Sequence, residues 1–172
     1  MTEIATLDAA QVRAAIPELA AVLVDCVAGG ASVNFMAGYS QVEAEAFFAK
    51  AADDVAAGAT VLLTARIDRR IVGTVQLGLD TPPNQPHRAE IKKMLVHRDA
   101  RRRGVGAALM TAVEDAARAA GRTLLVLDTV TGMDGERLYA RMGWICVGDI
   151  PGYALMPDGE PCSTTVFYKR VD

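Results

Sequence analysis

The chain is poor in several things, and each shortage excludes a class of protein. Its three cysteines, Cys26, Cys146 and Cys162, lie far apart and are odd in number. Neither a closed disulfide set nor a thiolate metal cluster is to be had from them, and reduced thiols in a cytoplasmic protein are expected. The only two histidines, His87 and His97, have no carboxylate or cysteine at ligand spacing, so no metal site is expected. No apolar run reaches the ~18 residues of a membrane span. Met1-Thr2-Glu3 does not open a cationic and then apolar secretory signal. A basic field is missing too: the formal charge is −3, whereas nucleic-acid binders usually carry a positive one. What remains is a globular balance, 51% hydrophobic and 23% charged, over 172 residues that suit one domain, residues 1–172, with a core of ordinary size.

The periodicities alternate between strand and helix. Met1 to Leu7 reads as a short edge strand with Ile4 and Leu7 apolar. Asp8 then caps a helix whose apolar face is Val12, Ile16, Leu19, Leu23 and Val27, with Pro17 expected to kink or restart it and Gly29-Gly30 to end it. Ala31 to Tyr39 is a loop unusually rich in apolar residues, and Ser40 caps a second helix with Val42, Ala46, Phe47, Ala51 and Val55 inward. Thr60 to Ile67 and Ile71 to Leu79 form a hairpin about Asp68-Arg69-Arg70. In the next strand, Ala89 to Val96, the adjacent Lys92 and Lys93 break the alternation, as a β-bulge would. From Gly104 to Gly121 runs a helix with Val105, Leu109, Val113 and Ala117 on one face and Glu114, Asp115 and Arg118 on the other. Leu124 to Leu127 suits a strand buried on both faces. Gly135 to Arg141 is a short helix, and strands Trp144–Ile150 and Ser163–Tyr168 flank a Pro/Gly-rich loop, Pro151 to Pro161. The order β-α-α-β-β-β-α-β-α-β-β specifies an α/β fold with a mixed sheet.

Chemistry concentrates in Arg101-Arg102-Arg103-Gly104-Val105-Gly106-Ala107, between a strand and the best helix. Three arginines at a helix N-terminus oppose a macrodipole that is already positive. A bound anion reverses that sign, free N–H groups at the helix start would cradle it, and the glycines let the backbone approach a phosphate. The alternative is a solvated basic turn. A P-loop is excluded because no lysine follows either glycine; a dinucleotide fingerprint is excluded because Leu109 stands where a third small residue belongs.

Arg101-Arg102-Arg103-Gly104-Val105-Gly106 matches the signature Arg/Gln-x-x-Gly-x-Gly/Ala, and with it the chain resembles the GCN5-related N-acetyltransferase superfamily along its whole length, down to Leu138-Tyr139 and Gly143-Trp144. The resemblance implies a mixed, mostly antiparallel sheet with a central splayed pair of parallel strands and helices on both faces. It also implies acetyl-CoA as co-substrate, its pyrophosphate on Arg101 to Ala107 and its pantetheine arm on Met94, Leu95 and Val96. A closer likeness, to the tabtoxin-resistance acetyltransferases, rests on Gly29–Met36, Arg88-Ala89-Glu90, Leu127-Asp128-Thr129, Pro151–Ala154 and Pro157-Asp158-Gly159. Two positions depart from the superfamily: Arg98 stands where proline is frequent, and Gly132 where an asparagine often contacts the cofactor arm.

Transfer of an acetyl group to an amine requires that the ammonium, pKa near ~10, lose a proton. It also requires a donor for the developing oxyanion, here expected to be the Leu95 N–H, and a proton for the departing thiolate. Glu90 is the first candidate base and Asp128 the second; parallel neighbouring strands would set them on opposite walls of the splay, where mutual burial would raise a pKa. Otherwise Glu90 would pair with Arg88 or Lys92 on the surface, and Asp128 would cap the loop after its strand. The family resemblance makes Tyr139 the donor to the coenzyme thiolate and a cofactor contact; on sequence alone it serves equally as a core aromatic. Asn34, Phe35 and Tyr153, with Glu90 and Asp128, are the candidate acceptor contacts, and the first three are also readable as loop residues folded on the core.

The expectation is thus an acetyl-CoA-dependent N-acetyltransferase acting on a small primary amine by direct attack, the acceptor being amino-acid-like or a β-lactam toxin. A non-enzymatic acyl-CoA sensor is the rival, and a nucleotide-binding protein the third reading. No nucleic acid or membrane partner is expected, and exposed C-terminal edge strands are compatible with a homodimer.

Overall fold

A computed structural model describes residues 1–172. Strands β1 (Glu3–Leu7), β2 (Thr60–Ile67), β3 (Arg70–Gly78), β4 (Arg88–Val96), β5 (Leu124–Val130), β6 (Ile145–Leu155) and β7 (Pro161–Arg170) alternate with helices α1 (Ala9–Ala28), α2 (Gln41–Ala56), α3 (Val105–Ala119) and α4 (Asp134–Arg141). They build one seven-stranded sheet in the order β1-β2-β3-β4-β5-β7-β6. Every neighbouring pair is antiparallel except the central β4 and β5. The element order and the single parallel pair are those expected from the sequence.

Local chemistry sets the helix starts. Asp8 and Gln11 cap α1 reciprocally, Gln11 N–H donating to Asp8 Oδ1 at 2.8 Å and Asp8 N–H to Gln11 Oε1 at 2.9 Å. Ser40 and Glu43 do the same for α2. The tight β2–β3 turn puts Asp68 at φ 50° and Arg69 at φ 70°, the two positive values of a type I′ hairpin turn, whose twist suits the flanking strands.

The sheet separates two apolar cores. On one face α1 and α2 bury Leu19, Leu23, Phe48 and Leu62, together with Leu95 of β4. On the other α3 and α4 bury Leu109, Met110, Val113 and Tyr139 against Val75, Ile91 and Leu125. The sheet face a residue occupies therefore decides which side of the site it serves.

Several expectations need correction. α1 runs unbroken through Pro17, so no restart occurs there. α2 is rotated relative to the expected face: Ala44, Phe48, Ala51 and Ala52 are buried while Val42 is 74% exposed. Glu114, assigned to the solvent face of α3, is buried, because Lys169 Nζ reaches both its oxygens at 2.9 and 2.8 Å and Trp144 Nε1 donates at 3.1 Å. β5 is not buried on both faces; Leu125 and Leu127 point into the core and Asp128 is exposed. β6 and β7 extend past their expected ends, so that Pro151-Gly152-Tyr153 lies within β6, at an irregularity between Ile150 and Ala154, rather than in a loop.

Candidate active site

The centre of the sheet opens because β4 and β5 pair only over Arg88–Leu124, Ala89–Leu125 and Glu90–Val126. Beyond Glu90 the strands part, and the bulge explains why. Thr74 pairs with Leu95 but Gln76 with Lys92, so two residues of β4, Lys93 and Met94, face one of β3. Lys93 carries the strain with φ at 50°. A bulge bends its strand and raises the local twist, which carries the second half of β4 away from β5.

The register of that second half decides which N–H groups are free. His97 N–H donates to Val72 O at 2.8 Å, making 72–97 a hydrogen-bonded antiparallel pair; two residues on, Thr74–Leu95 is the next. The Leu95 N–H is therefore spent on β3, and the N–H groups of Met94 and Val96 face the gap. The Leu95 N–H, the expected oxyanion donor, thus points away from the gap, and that of Met94 points into it.

Below the gap, the arginine-glycine segment forms the turn into α3. Gly104, at φ 78°, occupies the N-cap position and offers no side-chain acceptor, leaving the first-turn N–H groups to solvent or a ligand. Arg101, Arg102 and Arg103 are exposed, and none takes part in an ion pair. A Cβ on Gly106 would come within 3.1 Å of Leu138 Cδ2 and 3.8 Å of Met94 Cε, so this position is small because strand, helix and loop converge on it. Arg98 anchors the loop: its backbone N–H and its Nε each donate to Asp25 at 2.8 Å. Burial alone would push the Asp25 carboxyl up, but these bonds outweigh it and hold the group below its ordinary value. That pairing gives Arg98 a use where proline is frequent. Gly132, with φ at 80°, donates its N–H to the Glu136 carboxylate, so a side-chain contact from that position is replaced by a backbone tie at the start of α4.

Tyr139 of α4 is 5% exposed, with its ring 6.1 Å from Trp144 and 6.0 Å from Phe167. Burial, with a smaller push from the Asp128 charge, drives its phenol well above the ordinary tyrosine range. It stays protonated at neutral pH and can only donate a proton. It is a core aromatic of the α3/α4 side.

Glu90 and Asp128 lie on the α1/α2 face. Both line a cavity of about 220 Å³ with Arg88, Val126, Tyr153 and Thr164. Both are exposed, so the mutual burial expected to raise a pKa is absent, and neither enters an ion pair, with Arg88 and Lys92 included. Phe35 stacks on Tyr39 with ring centroids 4.1 Å apart and meets Phe47 edge-on at 5.5 Å. Asn34 is exposed at φ 77° and Tyr153 is 59% exposed. The α1–α2 loop also meets the β6–β7 turn: Ser32 Oγ donates to Leu155 O at 2.8 Å and Ala37 N–H to Pro157 O at 2.9 Å. Two of the five segments that carry the closer family likeness, Gly29–Met36 and Pro157-Asp158-Gly159, are thus brought side by side. Sequence reasoning missed Lys93 and Phe47, which flank Phe35; the broken alternation at Lys92-Lys93 was the signal for the first.

The acetyltransferase (GNAT) family model matches residues 31–144. The chain belongs to that family and is an acyltransferase. An N-acetyltransferase from Staphylococcus aureus Mu50 superposes with a TM-score of 0.78 at 15% identity, covering 100% of this chain and 99% of that one. An acetyltransferase from Salmonella typhimurium, solved with its cofactor acetyl-CoA, gives 0.80 at 16% over 99% and 94%. A protein described as a phosphinothricin N-acetyltransferase gives 0.78 at 14% over 100% and 99%.

Proposed function

We propose that the protein transfers the acetyl group of acetyl-CoA to a small primary amine by direct attack, the acceptor being amino-acid-like, with a β-lactam toxin of the tabtoxin class within that range. The observation that carries this is the splay itself: one opening with free strand N–H groups and an arginine-glycine helix start on one side, and two unpaired carboxylates on the other. Acetyl-CoA fits the first side, because Gly104 leaves the N–H groups of the α3 start without a side-chain cap and the Met94 and Val96 N–H groups face the gap. Bound there, acetyl-CoA supplies an activated acyl group as a thioester. Arg101 to Ala107 hold its phosphates, and the Met94 N–H stabilises the charge developing on the carbonyl oxygen. Glu90 and Asp128 draw in the ammonium and take its proton, directly or through water. Tyr139 gives a proton to the departing sulfur. Asn34, Phe35 and Tyr153 bound the acceptor. β6, exposed over most of both faces at the sheet edge, suits pairing with a second copy.

The test is an amine panel read by thiol release, with Glu90→Gln/Asp128→Asn alongside the unaltered protein. Turnover should fall at least ~100-fold while acetyl-CoA affinity stays the same. Turnover retained in the double variant would remove both carboxylates from the chemistry, and a protein that binds acetyl-CoA yet acetylates nothing would be an acyl-CoA sensor.

A further inference from the structure

Lys93 has no task in the steps above, yet the fold goes to some trouble to place it. Its backbone lies in the left-handed region, at φ 50°, a conformation disfavoured for residues with a Cβ and concentrated at functional sites. Its side chain turns to the α1/α2 face, with Nζ 5.5 Å from the Phe35 ring centroid and 5.9 Å from that of Phe47. Met94, the next residue, packs instead toward Gly106 beside the arginine loop. The bulge therefore divides consecutive side chains between the two halves of the site.

The ammonium is half-buried and belongs to no ion pair. Burial lowers its pKa first and Lys92 lowers it further, while Asp128 and Glu90 pull it back, so it lies within the field of both carboxylates without touching either. A partly desolvated cation needs an anion or strong acceptors around it, and the two rings supply only part of that. Gln76, which pairs with Lys92 across the bulge, is also buried and leaves its amide Nε2 without an acceptor. With Val75 and Leu77 in the α3-side core, Gln76 faces the Lys93 side of the sheet. An unpaired cation on one wall, and two carboxylates on the other, complement a zwitterion.

We propose that Lys93 is a specificity-determining residue that anchors a carboxylate of the acceptor, so that the enzyme selects amines bearing a carboxylate close to the nitrogen, such as α-amino acids, over polyamines and neutral amines. This rests on the acetyl-transfer reading above. The acceptor's ammonium then lies toward Glu90 and Asp128 and its carboxylate on Lys93 against Phe35.

The experiment compares kcat/KM for a set of α-amino acids, each against its own carboxamide and against a polyamine, in the unaltered enzyme, Lys93→Gln and Lys93→Arg. Stabilisation by acetyl-CoA in a thermal melt serves as the folding control, and calorimetry of the amino acid on CoA-loaded protein as a readout independent of turnover. The unaltered enzyme should favour the free acid over its amide by about tenfold or more. Lys93→Gln should bring that ratio close to one and lose calorimetric binding of the acid, and Lys93→Arg should keep a preference. Equal use of acid and amide, preference for the polyamine, or an acid preference that survives Lys93→Gln would overturn the proposal while leaving acetyl transfer intact. Failure to acetylate any amine, with acetyl-CoA still bound, would overturn the transfer reading and this proposal with it.

Discussion

At the scale of single residues, Tyr139 joins packing to the proposed chemistry. Burial, with a smaller push from the Asp128 charge, holds its phenol above the ordinary tyrosine range, so it is in the protonated form that the proposed role as donor to the departing sulfur requires. Tyr139→Phe preserves the ring that packs on Trp144 and Phe167 and removes only the hydroxyl. Its kcat should drop about 100-fold, within the usual reach of a positioned proton donor, with acetyl-CoA affinity and melting temperature close to those of the unaltered protein. Steady-state kinetics alongside a melt checks this; a kcat that does not change would make Tyr139 a packing residue alone. Glu90 and Asp128 differ from it in being solvent-facing.

Among the elements, the bulge and the turn into α3 do the most to make a site from a sheet. The bulge costs β4 its pairing with β5 beyond Glu90 and turns the Met94 and Val96 N–H groups toward the gap, while the Val96 carbonyl accepts from Cys26 Sγ and Arg101 Nε. Gly106 lets the start of α3 approach Leu138 of α4 and Met94 of β4 closely. A valine there would meet Leu138 Cδ2, whose ideal-Cβ distance is already 3.1 Å, and Met94 Cε at 3.8 Å; those flexible ends can give way, so the fold survives, but the displaced side chains crowd the helix start proposed to hold the cofactor. Gly106→Val should weaken acetyl-CoA at least about tenfold, or ~1.4 kcal/mol, by calorimetry, with a small change in unliganded stability. Much of this was legible in advance. Arg101 to Gly106 declared itself as the turn into the best helix, and Lys92-Lys93 as a bulge because a strand rarely breaks its alternation without one. Other features were out of reach. The α2 face was misjudged because alanines at Ala44, Ala51 and Ala52 weigh little in a periodicity count, while the exposed Val42 weighs heavily. Glu114 was placed in solvent because its partner, Lys169, lies on β7, too remote in sequence for any helical pattern to suggest. The Leu95 N–H was preferred to that of Met94 because hydrogen-bond parity depends on where the bulge falls, which requires the register.

Across the whole molecule, two cores separated by one sheet are tied at few polar points. The Lys169–Glu114 pair is the main one on the α3 side, joining α3 to β7, with Trp144 Nε1 and Met142 O completing its shell. Breaking a buried pair by removing one partner leaves the other charge uncompensated, so Glu114→Ala should cost about 3–5 kcal/mol, read from the urea midpoint. A loss below ~1 kcal/mol would mean that Lys169 finds water instead. The tie lies well away from the carboxylates, and its loss should act on stability before it acts on chemistry.

The most direct test of acetyl-CoA-dependent catalysis at this splay is a thermal melt of the purified protein titrated with acetyl-CoA, with ATP and NAD in parallel. At a hundredfold excess over its dissociation constant a ligand adds about 2.7 kcal/mol, which for a chain of this size is on the order of 5–10 °C. Acetyl-CoA should produce that shift and ATP and NAD should not. A protein unmoved by acetyl-CoA but stabilised by ATP or NAD would contradict the assignment of the arginine-glycine turn, and the roles given to Glu90, Asp128 and Tyr139 would fall with it.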